Sequence, residues 1–240
     1  MDDGERLVRI PAGDVELEGT LTLPAEPVGV VLFAHGSGSS RFSPRNRFVA
    51  SQLQQAGLGT VLIDLLTRQE EAVDERTQHL RFDIGLLADR LVHATDWLRR
   101  NPDTQPLPIG YFGASTGGGA ALVAAAQRPD AVGAIVSRGG RPDLAGPALS
   151  RISAPTLLIV GGWDEPVIDV NKQALAQMPS GVGQLEIVPR ATHLFEEPGT
   201  LEEVARLARE WFVRHLSSTG GLPGAGARRA LAGQLSQELP

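Results

Sequence analysis

The chain has 240 residues, of which 42% are hydrophobic and 21% charged, as in a globular protein rather than a disordered or fibrous one. Its formal net charge is −6, which argues against nucleic-acid binding, because that function needs a surplus of Lys and Arg. The chain has no cysteine, so disulfides, thiolate metal sites and cysteine nucleophiles are excluded.

The first residues and the apolar runs indicate where the protein works. The start, Met1-Asp2-Asp3-Gly4-Glu5, is acidic and has no apolar segment behind it, so we expect no secretory signal. No apolar run approaches the ~18–20 residues needed to cross a bilayer. The sequence therefore predicts a cytoplasmic protein that does not bind membranes, and it leaves open whether the protein is a homo-oligomer.

Eight short runs rich in Val, Ile and Leu are predicted as strands. In chain order they are residues 7–11, 15–23, 28–34, 59–65, 107–112, 131–137, 155–160 and 184–188. The second run alternates apolar and polar residues, which is typical of a half-buried antiparallel edge strand. The later runs are almost wholly apolar, which indicates parallel strands covered on both faces.

Helical patterns separate these strands. Apolar residues recur at helical spacing over 87–98 and 201–212, and each pattern predicts a helix with one buried face. Weaker patterns predict helices over 46–56, 117–127 and 167–177. Residues 67–78 are dense in Glu, Asp and Arg and predict a solvated loop.

This alternation predicts an α/β fold, namely a doubly wound, mostly parallel eight-stranded sheet with helices on both faces. Its catalytic domain is expected to span residues 1–216. Residues 217–240 are rich in Gly and Ala and predict a mobile C-terminal tail.

The segment Gly113-Ala114-Ser115-Thr116-Gly117 fits the pattern G-x-S-x-G between a predicted strand and a predicted helix. There a serine occupies a sharp, strained turn that exposes its hydroxyl, and the glycines remove side chains that would collide. The alternatives are a glycine-rich packing turn or a phosphate-binding loop. The dinucleotide-binding pattern G-x-G-x-x-G is incomplete, because Arg41 stands where its third glycine is needed. The P-loop pattern G-x-x-x-x-G-K-[ST] does not occur in the sequence. We predict that Ser115 is a nucleophile.

A serine nucleophile needs a base and an acid that orients the base, and in such sheets they follow the serine in the order acid, His. Of five histidines, only His193 comes directly after the eighth predicted strand, whereas His215 lies near the end of the last predicted helix. Asp164 follows the seventh strand and is the predicted acid. An alternative function for Asp164 is to cap the next helix, and Asp143 is the alternative acid.

An oxyanion hole is expected from the backbone N–H groups of Thr116 and Ser37, with Gly38 as the alternative to Ser37. His35 is expected to hold this glycine-rich loop by hydrogen bonds and to lie near the substrate. Arginines follow this loop and the sixth strand, along the edge where such folds bind ligands. Arg41 and Arg138 are therefore candidates to hold a carboxylate or phosphate of the substrate; the alternative is that these arginines pair with Asp143 or the acidic loop.

Together, four motifs resemble the α/β-hydrolase superfamily over residues 5–216, and in particular its lidless dienelactone-hydrolase-like proteins. They are His35-Gly36-x-Gly38, the G-x-S-x-G segment, Asp164 after Gly161-Gly162, and Ala191-Thr192-His193. The resemblance implies an eight-stranded sheet and ester hydrolysis through an acyl-serine intermediate. The enzyme that names this group uses a cysteine nucleophile, whereas this chain has Ser115. Only residues 138–154 separate the sixth and seventh predicted strands, too few for a cap domain.

The sequence thus predicts a serine esterase that cleaves small-molecule carboxylic esters with Ser115, His193 and Asp164, without metal or organic cofactor. Its activity is expected to fall at acidic pH, when His193 becomes protonated. The alternatives are a thioester, amide or lactone hydrolase or an acyltransferase with the same triad, or a non-catalytic binding protein.

Overall fold

The computed structural model describes residues 4–217, which form one eight-stranded sheet with helices on both faces. The strands are β1 (Arg6–Ala12), β2 (Val15–Thr22), β3 (Gly29–Ala34), β4 (Leu58–Ile63), β5 (Ile109–Ala114), β6 (Val132–Arg138), β7 (Thr156–Gly161) and β8 (Gly183–Val188). Each corresponds to one of the eight predicted strands, with ends shifted by at most two residues. The predicted tail, apart from Ser217, lies outside the described residues.

Within the sheet, the strands lie in the order β1-β2-β4-β3-β5-β6-β7-β8. The pairs β1–β2 and β2–β4 are antiparallel, and the other pairs are parallel. The prediction that the second strand is an edge was wrong, because β2 lies between β1 and β4. Its last four residues are buried, and β1 is the outer strand on that side.

The described part of the chain contains six α-helices, α1 (Pro44–Gln55), α2 (Arg68–Thr77), α3 (Ile84–Leu98), α4 (Thr116–Gln127), α5 (Glu165–Gln177) and α6 (Thr200–Leu216). Because side chains alternate along a strand, the sheet supports a separate core on each face. Val31 and Phe33 of β3 pack with α1 and α6 on one face, whereas Val30 and Leu32 pack with α3 and α4 on the other. The helices predicted over 87–98 and 201–212 are confirmed as parts of α3 and α6.

The prediction of a solvated loop over residues 67–78 was wrong, because α2 occupies this segment. Thr67 accepts a hydrogen bond from the Glu70 amide, and the Glu70 side chain accepts one from the Thr67 amide. This capping box stabilises the start of α2, although the helix has no apolar stripe. Gln78 ends α2 in the left-handed conformation (φ 53°). Its Glu and Arg residues are also good helix formers.

The link between β6 and β7 contains a 3₁₀ segment, Pro142–Arg151, that is kinked at Gly146. This link is too short to add a cap domain over the carboxyl end of the sheet, as the sequence predicted. A second 3₁₀ segment, Leu80–Phe82, follows α2. Between residues 4 and 217, none of the helices combines the length and the apolarity needed to span a bilayer.

Candidate active site

Ser115 occupies the single-residue turn between β5 and α4. Its backbone has φ 51° and ψ −121°, a conformation that costs a non-glycine residue about 1–3 kcal/mol. Hydrogen bonds hold this turn, because the Ser115 amide donates to the Arg138 carbonyl (3.2 Å) and the Ser115 carbonyl accepts from the Arg141 amide (3.1 Å). The strained turn places the hydroxyl at the carboxyl edge of the sheet.

The glycines around Ser115 are needed because backbone passes very close to them. A Cβ atom on Gly117 would lie 2.3 Å from the Ala34 carbonyl oxygen, and one on Gly113 would lie 2.5 Å from Gly118 Cα. Both distances are far inside van der Waals contact, so no side chain fits. The steric reason that the sequence suggested for the G-x-S-x-G spacing therefore applies here.

His193 and Asp164 lie next to Ser115, although they come from separate loops after β8 and β7. Asp164 Oδ2 lies 2.6 Å from Nδ1 of His193, and Nε2 of His193 lies 3.4 Å from Oγ of Ser115. Because a carboxylate only accepts hydrogen bonds, Nδ1 carries the proton and Nε2 is free to accept one. Catalytic hydrogen bonds of this length often tighten when a substrate binds.

Alternative functions for the two aspartates are not supported by their contacts. Asp164 precedes α5, but its side chain makes no capping hydrogen bond and contacts His193 instead. Asp143 pairs with Arg141 at 2.6 Å. The approach of the two loops depends on Gly161, where a Cβ would lie 2.4 Å from the Ala191 carbonyl oxygen.

The loop after β3 and the first turn of α4 carry the donors that the sequence predicts for an oxyanion hole. Thr116 is the first residue of α4, so its amide has no acceptor within the helix. The Ser37 amide, however, donates to the Thr116 hydroxyl oxygen at 2.9 Å. The prediction of a free Ser37 donor is therefore corrected, because a side chain that the sequence analysis had not considered already accepts its hydrogen. A threonine directly after the nucleophile was the only sequence signal for this contact.

His35 holds the same loop, as expected. Its Nε2 accepts from the Leu65 amide at 3.0 Å, and its Nδ1 lies 2.9 Å from the Gly36 carbonyl oxygen, to which it donates. Burial lowers the pKa of His35, while the Gly36 carbonyl and Asp64 oppose that shift. With both ring nitrogens occupied, His35 has none left to bind a substrate, and its assignment as a substrate-binding residue was wrong.

The two candidate arginines differ in their partners. Arg41 is buried and forms ion pairs with Asp64 and Glu18, so the prediction that it holds a substrate anion was wrong. Its carboxylate partners come from β2 and from the end of β4, which the sequence could not place beside it. Arg138 is also buried, but none of the carboxylates within residues 4–217 forms an ion pair with it.

A cleft of about 230 Å³ opens beside the serine and is named here the Ser115 cleft. Its walls include Ser37, Arg45, Asn46, Ser115, Arg138 and His193. The cavity on the other side of the oxyanion loop measures only about 20 Å³, room for about one water molecule. Within the described part of the chain, no group of three or more His, Asp or Glu residues could hold a metal ion.

The chain is similar to known proteins both in sequence and in structure. The sequence profile of the dienelactone hydrolase family matches residues 17–216. A crystal structure of a dienelactone hydrolase from Anabaena variabilis is 66% identical, with a TM-score of 0.87, over 88% of this chain and 98% of that one. A lidless α/β serine hydrolase from Xanthomonas campestris is 19% identical and shares the fold, with a TM-score of 0.72 over 91% of this chain and 98% of that one.

Two curated proteins of Mycobacterium tuberculosis, provisionally named phosphoribosyl transferases, are 59% identical over 213 residues. The match covers 89% of this chain and 47% of each relative. The chain therefore spans about half the length of these curated relatives.

Proposed function

The chain belongs to the dienelactone hydrolase family, and we propose that it is a hydrolase, namely a serine esterase acting on small carboxylic esters. The observation that carries this proposal is the hydrogen-bonded series from Asp164 through His193 to Ser115. A hydroxyl becomes a good nucleophile when a base in reach takes its proton and a third group orients that base.

The reaction proceeds in two halves. Ser115 Oγ attacks the ester carbonyl carbon while Nε2 of His193 takes the hydroxyl proton, and Asp164 stabilises the resulting imidazolium. The tetrahedral intermediate then collapses, His193 gives the proton to the leaving alcohol, and the acyl group stays on Ser115. In the second half, His193 removes a proton from water, the hydroxide attacks the acyl-serine, and the acid is released as Ser115 regains its proton.

The oxyanion of the intermediate needs hydrogen-bond donors. The Thr116 amide is one, because it begins α4 and lacks an intrahelical acceptor. The Thr116 hydroxyl accepts from Ser37, and its own hydrogen is free to point at the oxyanion as a second donor. In this arrangement the Ser37 amide acts through Thr116 rather than directly on the substrate.

The substrate class follows from the shape of the site. The Ser115 cleft, at about 230 Å³, is smaller than the roughly 300–1,000 Å³ typical of sites for drug-sized ligands. Within residues 4–217, no cap domain covers this cleft. These features favour short acyl and alcohol groups.

A cytoplasmic location for the enzyme stays a prediction.

A labelling experiment tests the proposal. The wild type is treated with a fluorophosphonate probe and assayed with p-nitrophenyl acetate, beside Ser115→Ala and, as a matched control, Ser150→Ala in the exposed part of the β6–β7 link. We expect Ser115→Ala to lose labelling and to lower kcat by about 10⁴–10⁶-fold, while Ser150→Ala behaves as wild type. Wild-type hydrolysis by Ser115→Ala would refute the proposal, and an unlabelled wild type would favour a non-catalytic protein.

Acyl transfer and the cleavage of thioesters, amides or lactones use the same acyl-serine. Adding a primary alcohol to the assay separates transfer from hydrolysis, because transfer produces a new ester instead of the free acid. We expect the free acid to remain the main product.

A further inference from the structure

We propose that Asn171 is a positioning residue that orients the backbone amide of Thr116, the first donor of the proposed oxyanion hole. It acts from α5 through two peptide groups that are joined by hydrogen bonds. This inference rests on the proposed function, because it adds a residue to the machinery of the same site.

Asn171 lies in the second turn of α5, and its side chain is completely buried. Its Nδ2 atom donates to the Gly140 carbonyl oxygen at 3.0 Å and to the Val167 carbonyl oxygen at 2.7 Å. Its Oδ1 atom has no hydrogen-bond partner within residues 4–217, so this position uses the donors of the amide. Asparagine is a weak helix former, and burying its amide is costly without partners. The contact that leaves the helix, to Gly140, therefore indicates what this side chain does.

The contact with Gly140 is connected to the nucleophile turn through a single peptide group. The Gly140 carbonyl and the Arg141 amide belong to that group, and the Arg141 amide donates to the Ser115 carbonyl at 3.1 Å. A trans peptide group is planar, and its C=O and N–H point in opposite directions, so a rotation that breaks one contact breaks the other. The Ser115 carbonyl in turn shares a peptide group with the Thr116 amide. Asn171 thus holds the Thr116 amide through two rigid groups in series.

The loop after β6 needs such a contact because it contains two glycines in succession. Gly139 has φ 51°, and glycine permits many backbone conformations, so the loop does not select one by itself. Gly140 is buried, and a buried carbonyl needs a donor. Without the Asn171 amide, we expect the peptide group after Gly140 to rotate towards another donor, which would withdraw the Arg141 amide from Ser115.

The expected consequence is a loss of alignment rather than of the fold. The Ser115 carbonyl also accepts from the Gly118 amide at 3.0 Å, and this second contact keeps the first turn of α4 in place. Oxyanion donors are effective when they point to where charge develops, and an error of about 1 Å in position can cost roughly 100-fold in rate. Each hydrogen bond of the series also polarises the next, which strengthens the Thr116 donor.

The arrangement gives α5 two functions at the site. The helix begins directly after Asp164, so its first turn fixes the acid, and its second turn holds the oxyanion donor through Asn171. The loop that Asn171 holds also lies against the base, because a Cβ on Gly139 would be 3.4 Å from Nδ1 of His193. One helix therefore supports the acid and the oxyanion donor together.

Kinetics of two variants test the proposal. Asn171→Leu removes the donors at a similar side-chain volume, and Asn171→Ala carries the test if the leucine variant does not fold. We expect kcat for p-nitrophenyl acetate to fall about 10–100-fold while KM changes by less than about twofold. The affinity for an alkyl trifluoromethyl ketone, which adds to Ser115 as an oxyanion, is expected to fall by about the same factor.

Thr104→Val is the matched control. Thr104 is also completely buried, and its hydroxyl donates to the Leu98 carbonyl at 2.7 Å, in the loop that leads into the amino end of β5. The change removes one buried hydrogen bond on the far side of the sheet from Ser115. We expect it to lower stability and to leave kcat at the wild-type value, which is also the result that a purely structural function of Asn171 would give.

Amide hydrogen exchange keeps this inference separate from the proposed function, because it needs no activity. The Arg141 amide is expected to exchange at least tenfold faster in the Asn171 variants than in wild type, and at an unchanged rate in Thr104→Val. An unchanged Arg141 rate in the Asn171 variants would overturn the inference. So would a wild-type kcat in a folded Asn171 variant, a loss that appears in KM instead of kcat, or an equal loss of kcat in Thr104→Val. If Ser115→Ala kept full hydrolysis, the esterase would be refuted, and the exchange rates would still decide whether Asn171 holds the loop.

Discussion

Nδ1 of His193 donates to the Asp164 carboxylate across 2.6 Å. This contact determines which nitrogen faces the serine: with the proton held on Nδ1, Nε2 presents a lone pair towards Ser115. Asp164 thus sets both the orientation and the tautomer of the imidazole.

Replacing Asp164 by asparagine tests this relationship. The amide can donate to Nδ1, so it favours the tautomer in which Nε2 carries the proton and cannot act as a base. We expect Asp164→Asn to lower kcat by about 10³–10⁴-fold with little change in KM, measured with p-nitrophenyl acetate. The control is Asp143→Asn, which changes the alternative acid and is expected to keep wild-type kcat. Equal losses in both variants would contradict the assignment.

The hydroxyl of Thr116 is expected to be needed for the rate, because it accepts from the Ser37 amide and, in the proposed mechanism, donates to the oxyanion. Thr116→Val keeps the side-chain shape and removes the hydroxyl, so we expect kcat to fall about 10–100-fold while KM changes little. Thr116→Ser retains the hydroxyl and is expected to recover most of the rate. If Thr116→Val were as fast as wild type, the Ser37 amide released by the change would itself be the second donor.

The close backbone approach at Gly117 predicts a large effect on stability. Gly117→Ala would place a methyl group 2.3 Å from the Ala34 carbonyl oxygen, and we expect the free energy of unfolding to fall by about 3 kcal/mol or more. Gly85→Ala is the matched control. That glycine lies in the first turn of α3, a Cβ there would make only an ordinary 3.4 Å contact, and alanine favours helices. Urea unfolding measures both, and a Gly117→Ala protein as stable as wild type would contradict the close approach.

His35 predicts how stability depends on pH. Its pKa is lowered in the folded protein, chiefly by burial, so the unfolded chain binds a proton first as the pH falls below about 6.5. The stability that His35 contributes is complete above that pH and is lost as the pH falls towards the lowered pKa of His35 in the folded protein. Urea unfolding at pH 7.5 and 5.5 is therefore expected to show lower stability at pH 5.5.

The variant His35→Gln tests whether His35 causes this dependence of stability on pH. We expect this variant to reduce the difference in the free energy of unfolding between pH 7.5 and pH 5.5, because glutamine does not titrate. Its carbonyl oxygen can still accept from the Leu65 amide. Burial, together with Arg214, also lowers the pKa of His215, which contributes in the same direction, so part of the slope remains. An unchanged slope in His35→Gln would show that His35 is not the group responsible.

Two errors of the sequence predictions have different causes. The charged segment 67–78 was interpreted as a loop because it lacks an apolar stripe, yet the capping box of Thr67 and Glu70 was present in the sequence and could have identified α2. The carboxylates that neutralise Arg41 lie 23 residues to either side of it in the chain. No spacing rule connects residues that meet only when strands pair.

The sequence by itself determined the eight strands, the sharp turn at Ser115 and the order of Ser115, Asp164 and His193 along the chain. These features leave local patterns in the sequence, namely apolar periodicity along each strand and the G-x-S-x-G spacing around Ser115. Only the tertiary structure decided that Arg41 is neutralised, that Arg138 is not, and that the Ser37 amide binds the Thr116 hydroxyl. Those outcomes depend on which distant side chains come within hydrogen-bonding distance, and that is set by how strands and loops pack at the edge of the sheet.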